Sequence, residues 1–457
     1  MIYLLIAFLT TAASANSADF GFLAYGDLRG HIEPCGCDPS TDLGGIRRLA
    51  NVVFRERNIH PELLLFDLGN ALPLPHEPDL KSDFILDVQA KIRPNAILFN
   101  RLEYLRRQQV GAWSTSHRGQ ELPYVLSNVL ASVDTANLVK EKVTGKGWVA
   151  MGYTQPISST EPLESLSNDL LRKWSKSLIG HEKDERILLF SGRDSELRKI
   201  TDSGLFTTVI SANTGTWEAL PGAEDRRHEE RLKRVALPPV YMVPLAGQGL
   251  LRGGKLQTEE APSLAALLAN APQKQRIPQS PEWLREGKVI TWLDPVSADG
   301  SSAVDEIYGA YTKAARDQFL KSASIRSEQL KDSQFAGAQA CSTCHAQIYQ
   351  SYLKSKHAHA LRTLEDKNKH EDPECVTCHV LGANEAGGFV NSDLSPQFAN
   401  VQCENCHGAR LKHARDPYRY RSTSKPDKTL CSRCHNQQHS PKFDFGVYWP
   451  KIEHKGI

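Results

Sequence analysis

Short apolar runs alternate with amphipathic stretches along residues 19–300 of the chain. One stretch, Gly45–Phe54, places Ile46, Leu49 and Val53 on one face at helical spacing, which predicts an amphipathic helix. The runs rich in Leu, Ile, Val and Phe predict β-strands at Phe20–Tyr25, Glu62–Phe66, Asn95–Phe99, Arg186–Phe190, Thr207–Ile210 and Val240–Val243. Strands that alternate with helices in this way favour an α/β fold.

A second helical pattern separates this region from the rest of the chain. Ile307, Tyr311 and Ala315 repeat at helical spacing, and the charged residues between them favour a linker helix over a flexible linker. A chain of 457 residues is long enough for two or three domains. We therefore predict a signal peptide, an α/β domain, a linker helix and a C-terminal domain over residues 1–18, 19–300, 301–334 and 335–457.

The C-terminal domain contains four C-x-x-C-H motifs. Two cysteines at this spacing can each form a thioether to a haem, and the histidine that follows can bind the iron. A zinc site would need sets of four Cys or His ligands, without a His directly after each pair. The motifs therefore predict four haem c groups. The predicted thioether cysteines are Cys341, Cys344, Cys375, Cys378, Cys403, Cys406, Cys431 and Cys434, and the predicted proximal ligands are His345, His379, His407 and His435.

Further histidines are available for the second axial position of each iron. Haems that only transfer electrons usually have both positions filled. His357 and His359 are two residues apart, so on a helix they point in different directions and do not serve the same haem. His370 lies in a charged run that predicts a surface residue, and His439 is either a ligand or a surface residue. The two remaining candidates are His413 and His454.

The four motifs and the histidines around them resemble the tetrahaem cytochrome c-554 family over residues 335–457. This resemblance implies a mainly α-helical, loop-rich domain in which His357, His413 and His454 are distal ligands. It also implies one five-coordinate haem, unless His359 or His439 fills that position. The partners expected for such a protein are other cytochromes or a quinol-linked membrane complex.

The N-terminus and the charge bear on the cellular location. An apolar run, Ile2–Leu9, precedes a cleavage site after Ala15, which predicts a secretory signal peptide with cleavage near residues 15–18. No later segment is apolar enough to span a bilayer. The net charge of +2 does not indicate nucleic-acid binding. Since c-type haem is attached outside the bacterial cytoplasm, we expect an exported or periplasmic protein.

Landmarks in the α/β domain resemble the metallophosphoesterase fold of the 5′-nucleotidase family. They are Tyr25–Gly30, Asp67–Asn70, Phe99–Arg101, Leu126–Val129 and a Gly-rich closing turn at Ala246–Gly254. The resemblance covers residues 19–255 and implies a two-sheet sandwich flanked by helices.

The metal ligands of that family are largely replaced in this chain. Arg29 and Arg101 stand where the family has His, and Asn70 stands where it has a bridging Asp. A two-metal hydrolase needs carboxylates and neutral imidazoles, whereas arginine stays protonated and has no lone pair for a metal. Only Asp27 and Asn100 remain as ligands, so we predict a domain without phosphoesterase activity.

Two cysteines outside the haem motifs, Cys35 and Cys37, follow the first strand. In an exported protein they favour a disulfide, which would be strained and redox-active over so short a loop. Alternatively the thiolates bind a soft metal together with His31 or Asp27.

The sequence thus predicts an exported multihaem cytochrome that transfers electrons between redox partners. One alternative is an oxidoreductase that acts on a small nitrogen or sulfur compound at a five-coordinate haem or at Cys35 and Cys37. A second alternative is a metal-dependent phosphoesterase.

Overall fold

A computed structural model describes most of the chain between residues 21 and 454. The described residues are 21–33, 44–117, 120–130, 138–158, 161–212, 240–242, 249–254, 289–292, 303–367, 369–383, 385–421, 426, 428–435, 440 and 443–454. The predicted signal peptide and Cys35, Cys37 and His439 lie outside them. The chain divides into two compact units, of which the first holds the described residues up to Ile307 and the second those from Tyr308.

Unit 1 contains a six-stranded sheet formed by β1 Gly21–Tyr25, β2 Leu64–Asp67, β3 Ala96–Leu98, β4 Tyr124–Val125, β10 Gly249–Gly254 and β11 Val289–Trp292. The strand order is β11-β10-β1-β2-β3-β4, with β1 to β4 parallel and with β10 and β11 antiparallel to their neighbours. Residues 249–254 are therefore a strand, and the turn predicted there is wrong. Since parallel strands end at one edge, the loops after β1 to β4 lie together.

A second sheet of five strands consists of β5 Lys142–Gly145, β6 Trp148–Thr154, β7 Glu185–Ser191, β8 Thr208–Ser211 and β9 Val240–Met242. All seven residues of β6 are buried, and this strand faces the first sheet. A Cβ atom on Gly152 would lie 2.5 Å from the carbonyl oxygen of Val125, so glycine allows the two sheets to approach. The α/β fold with two sheets is confirmed.

The helices of unit 1 flank these sheets. They are α1 Ile46–Ile59, α2 Asp79–Ile92, α3 Arg101–Leu105, α4 Arg107–Ser116, α5 Asn168–Ser177 and α6 Asp194–Ser203. The helix predicted at residues 45–54 is confirmed as α1 and continues for a further turn. Its apolar face is buried as expected, with Ile46, Leu49 and Val53 almost fully shielded from solvent.

The longest helix among the described residues, α7, spans Asp305–Gln329 and belongs to unit 2 from Tyr308 onward. Phe319 and Ala323 on this helix are buried, and Arg326 donates hydrogen bonds to the carbonyl oxygens of Ala383 and Phe389. The remaining helices are short: α8 Ala338–Cys341, α9 Ala346–Leu353, α10 Ala360–Glu365, α11 Pro373–Val376, α12 Cys403–His407, α13 Leu411–Arg415, α14 Lys428–Cys431 and α15 Phe445–Tyr448. This confirms a mainly helical, loop-rich domain.

The side-chain core of unit 2 occupies only part of its length. It consists of Phe335, Leu361, Leu364, Val376, Val380, Leu381, Ala383, Phe389 and Phe398. Among the described residues from 405 to 454, no residue is buried. This last segment therefore has no interior made from its own side chains. In the described part of the chain, no helix has the length and apolar character needed to cross a bilayer.

Candidate functional site

The loop after β1 holds the acid group that sequence analysis retained as a metal ligand. The Asp27 side chain is buried and accepts a hydrogen bond from Nε of Arg29 at 2.8 Å. Both residues have positive φ values, 61° for Asp27 and 48° for Arg29, which bring the two side chains together in a tight loop. Arg29, which the family resemblance aligned with a histidine position, thus forms an ion pair with the neighbouring carboxylate.

Polar side chains in the loops after β2 and β3 also form hydrogen bonds with other residues of unit 1. Oδ1 of Asn70 accepts a backbone N–H of α3, and Nδ2 of Asn100 donates to the carbonyl oxygen of Leu68. Arg101 donates to Oε1 of Glu161 at 2.6 Å. Among the residues that the structure describes, no three His, Cys, Asp or Glu side chains gather in a metal-binding group. These polar side chains at the sheet edge are therefore engaged in hydrogen bonds and ion pairs within unit 1.

His31 lies half-buried just beyond this loop. Because Cys35 and Cys37 fall outside the described residues, their disulfide, metal-binding and redox interpretations stay predictions.

Two buried carboxyl groups lie beneath the sheet edge. Burial raises the pKa of Asp67 to about 6 and that of Glu103 to about 7. The Asp67 carboxylate accepts from the backbone N–H of Gly69 and from Nε2 of Gln89, both at 2.8 Å. These hydrogen bonds only partly offset the cost of burying the charge.

Replacing Asp67 by Asn is expected to flatten the pH dependence of stability of unit 1. With a pKa raised from 3.8 to about 6, Asp67 holds its proton more strongly in the folded than in the unfolded chain. The free energy of unfolding therefore falls as the pH rises between these values, by up to about 3 kcal/mol at about 1.4 kcal/mol per pKa unit. Calorimetry of the full chain between pH 4 and 7 measures this loss.

Glu62→Gln is the matched control for this measurement, because Glu62 is exposed on the same unit. In this control, the free energy of unfolding should fall with pH as steeply as it does in the wild type. If the free energy of unfolding of Asp67→Asn also fell with pH as steeply as in the wild type, Asp67 would not be the group with the raised pKa.

In unit 2 the haem-binding motifs lie on short helical turns. The N–H of His345 donates to the carbonyl oxygen of Cys341, and that of His435 donates to Cys431, both at 2.9 Å. Each of these histidines is therefore one turn after the first cysteine of its motif, on the same face. All eight motif cysteines are free thiols rather than disulfides. Each motif can thus present its sulfur atoms and its imidazole to one ligand.

Three of the motif histidines face a second histidine from elsewhere in the chain. The ring centres of His345 and His413 are 6.4 Å apart, and the planes are inclined by 37°. The other two pairs are His357 with His435 at 6.1 Å and His407 with His454 at 5.8 Å. The structure therefore places all three distal candidates implied by the family resemblance opposite a motif histidine.

These separations fit two imidazoles on opposite sides of one metal ion. Metal–nitrogen bonds of about 2.0 Å and about 1.2 Å from nitrogen to ring centre give about 6.4 Å between the ring centres. Rings in direct contact lie closer, as His435 and Phe443 do at 4.5 Å. The residues present therefore fit an iron between the rings of each pair.

In two of these rings, a hydrogen bond at Nδ1 determines which ring nitrogen can bind a metal. Nδ1 of His413 lies 2.8 Å from the carbonyl oxygen of Tyr420, and Nδ1 of His435 lies 3.1 Å from Oγ of Ser440. A proton on Nδ1 leaves the lone pair on Nε2 for a metal, which is the usual arrangement of a histidine ligand. Burial lowers the pKa of His357 and of His435, which favours the neutral, ligating form.

The remaining motif histidine, His379 of the second motif, has a different environment. Its Nδ1 lies 2.7 Å from the carbonyl oxygen of Ala360, so Nε2 is again the available nitrogen. Within the described ranges, no second histidine ring is paired with it. Nε2 of His359 instead lies 3.0 Å from the carbonyl oxygen of Leu353, which engages that nitrogen as a donor. His370, predicted to be a surface residue, is half-buried.

Cysteines of different motifs lie next to one another. The thiols of Cys341 and Cys403 are hydrogen-bonded, as are those of Cys378 and Cys434. Burial raises the pKa of Cys406, and the nearby Cys431 adds to this rise. The first site is therefore next to the third, the second is next to the fourth, and the third and fourth interact electrostatically.

Glu404, between the cysteines of the third motif, holds two sites together. Its buried carboxylate accepts the backbone N–H groups of Ala336, Gly337 and Arg410 at 2.7–3.0 Å. The first two of these residues lie shortly before the first motif, which begins at Cys341. Glu404 was not among the predicted site residues, although an acidic side chain between two motif cysteines is a signal for a local structural role.

The C-terminal region of the chain matches a known protein family. Residues 340–408 match the family described as cytochrome c554 and c-prime. Cytochrome c-554 of Nitrosomonas europaea is 29% identical over 162 residues, which is 27% of this chain and 69% of that protein. The C-terminal region therefore resembles cytochrome c-554. These matches support a c-type cytochrome with covalently bound haem that functions in electron transfer.

Solved structures similar to this chain include phosphoesterases and nucleotidases. Calcineurin-like phosphoesterase YfkN from Bacillus subtilis is 13% identical with a TM-score of 0.42, covering 65% of this chain and 99% of that one. The 5′-nucleotidase precursor from Thermus thermophilus is 15% identical with a TM-score of 0.41, covering 65% and 58%. NAD nucleotidase from Haemophilus influenzae is 10% identical with a TM-score of 0.37, covering 52% of this chain and about half, 47%, of that one.

Proposed function

We propose that this protein is an exported c-type cytochrome that carries four covalently bound haems and transfers electrons between redox partners. The observation that carries the proposal is the set of three histidine pairs at 5.8–6.4 Å, each combining a motif histidine with a distant one. Neither a zinc site nor a redox C-x-x-C motif calls for such pairs. The partners we expect are other cytochromes or a quinol-linked membrane complex.

Bound haem would supply an iron that changes between ferric and ferrous by one electron. The protein supplies the rest of the site. The eight motif cysteines fix the haems through thioethers, and the histidine pairs hold three irons from both sides. The partners of Nδ1, such as the Tyr420 carbonyl and the Ser440 hydroxyl, orient the rings so that little has to move when an electron arrives.

Cysteines of different motifs lie near one another, which supports a path for electrons between the haems. Cys341 adjoins Cys403 and Cys378 adjoins Cys434, while the influence of Cys431 on the pKa of Cys406 indicates that the third and fourth sites are near each other. The path therefore ends at the first and second sites. We propose that partners exchange electrons at these two ends.

The second site also favours an additional function. His379 is the motif histidine without a paired ring among the described residues, so its iron would keep an open axial position. An open position binds small ligands, whereas a filled one does not. We propose that a small nitrogen or sulfur compound is bound there, at the end of the electron path.

Unit 1 has a supporting role in this proposal. Arg29 pairs with Asp27, one of the two remaining candidate ligands, and Arg101 pairs with Glu161, so both arginines are engaged in ion pairs within the unit. We propose that this domain, residues 19–300, is not catalytic and positions a partner, and that the 301–334 helix connects it to the haem domain.

Spectroscopy of the protein, produced in a host that attaches c-type haem and purified from its periplasm, tests the function. We expect the intact mass to include four haems, with an N-terminus that follows residues 15–18. Electron paramagnetic resonance should show three low-spin ferric haems and one high-spin haem. The reduced protein should bind one carbon monoxide per chain, because among the described residues only His379 lacks a facing histidine, so the iron that it binds would have an open position.

Two results would contradict the proposal. A mass without haem would exclude the cytochrome, and four low-spin haems without carbon monoxide binding would exclude the open site while leaving electron transfer in place.

A further inference from the structure

A short segment of unit 2, Leu411–Arg421, concentrates exposed positive charge. We call these residues the basic segment; it begins with α13 and continues through a turn. Its exposed basic side chains are Lys412, Arg415, Arg419 and Arg421. The acidic residue of the segment, Asp416, is engaged by the backbone, since its Oδ1 accepts the N–H of Arg419 at 3.1 Å.

These four side chains have no acidic partner in the part of unit 2 that the structure describes. Elsewhere in the unit, two exposed arginines have acidic partners: Arg316 pairs with Glu371 at 2.5 Å and Arg362 with Asp366 at 2.9 Å. Next to the charges, the Tyr418 side chain is 85% exposed. Arginine and tyrosine are the residues enriched where protein surfaces meet.

The basic segment is directly connected to the first site. It carries His413, whose ring faces that of His345 at 6.4 Å. The carbonyl oxygen of Tyr420 accepts the hydrogen bond from Nδ1 of the same ring at 2.8 Å. The charged surface and the orientation of the ligand therefore belong to one piece of backbone, at one end of the proposed electron path.

We propose that the basic segment docks an acidic redox protein, which passes electrons to the haem at Cys341–His345. In this step the reduced centre of the partner loses one electron and the ferric iron of the first site gains it. The proposal rests on the four-haem function above. Positive surface charge raises the rate of encounter with a negative partner by factors of about 10 to 1,000 at low ionic strength.

An acidic protein fits this surface better than an anionic membrane does. Binding in a membrane interface needs an amphipathic helix with a broad apolar face. Helix α13 has only five residues, and its Leu411 is only half-buried against the protein. The charges instead stand around one exposed tyrosine, which resembles the composition of a small protein interface.

The test uses the haem-loaded full chain and an acidic plant-type ferredoxin as the probe. The triple variant Arg415→Glu, Arg419→Glu and Arg421→Glu reverses the charge of the basic segment and leaves Lys412, next to the ligand, unchanged. Its control is Lys313→Glu, Lys321→Glu and Lys331→Glu, three exposed lysines on α7 and just beyond it, with the same change in net charge. Binding of oxidised ferredoxin and the rate of reduction by reduced ferredoxin are measured from low to high salt.

We expect wild type and control to bind ferredoxin with an affinity that falls steeply with salt. The triple variant should lose at least about tenfold in binding and in reduction rate at low salt, with a flatter salt dependence. Its haem spectrum and reduction potentials should equal those of the wild type, since these side chains do not hold the haem.

Three results would overturn the docking surface. The triple variant could bind ferredoxin as tightly as the wild type does, or it could lose no more affinity and reduction rate than the control. It could also show shifted haem reduction potentials, because the arginines neutralise haem propionates instead. Salt-sensitive binding to vesicles of anionic lipid, without binding to ferredoxin, would assign the segment to a membrane. All of these are distinct from failure of the proposed function, in which the purified chain carries no haem.

Discussion

The His413→Ala variant is expected to bind two carbon monoxide molecules per reduced chain, where the wild type binds one. Removing this imidazole opens the second axial position of the iron at His345, because the two rings face each other at 6.4 Å. Electron paramagnetic resonance should show one further haem changing from low to high spin. Carbon monoxide titration measures the same change as a doubling of the binding stoichiometry.

His359→Ala is the matched control, since His359 is also a histidine of the haem domain but engages its Nε2 with the Leu353 carbonyl at 3.0 Å. The control should bind one carbon monoxide, as the wild type does. If His413→Ala keeps the wild-type stoichiometry and spin states, His413 is not an axial ligand and the pairing with His345 has another cause.

A chain without haem is expected to lose the fold of residues 405–454 while unit 1 remains folded. No described residue in this segment is buried, so its side chains provide almost no apolar stabilisation of their own. The haems supply the missing interior, as bound groups do in other small domains whose folding depends on them. Replacing all eight motif cysteines by alanine should therefore reduce amide protection in this segment to that of an unfolded chain.

Hydrogen exchange with mass spectrometry measures this loss segment by segment. Strands of unit 1 such as β6, buried along its whole length, should keep wild-type protection. The wild-type sequence made in a host without haem attachment separates loss of haem from the substitutions and should behave as the variant does. Native protection of residues 405–454 in either protein would show that the segment folds on its own.

The strands and the haem motifs could be predicted because their signals are local. An apolar run such as Glu62–Phe66 needs no distant residue to be recognised, and it became β2 at Leu64–Asp67. The turn predicted at Ala246–Gly254 was wrong over the described residues 249–254, because their glycines are compatible with a strand once β1 and β11 pair on both sides. Pairing between distant strands overrides local preference.

The partners of the histidines could not be predicted from the residues alone. His345 and His413 are far apart in the sequence, and nothing local to either indicates the other. The same holds for Arg101 and Glu161, whose ion pair only the fold reveals. His370 was assigned to the surface from its charged neighbours, but burial depends on what packs over a residue rather than on what adjoins it.

The pairing of His407 with His454 has a consequence for proteolysis. The two rings face each other at 5.8 Å although the residues lie far apart in the sequence. Cleavage of the chain between Trp449 and His454 would leave all four motifs in place but would separate this imidazole from the proposed third site. Such a cut would then turn an electron carrier into a protein with a second reactive iron.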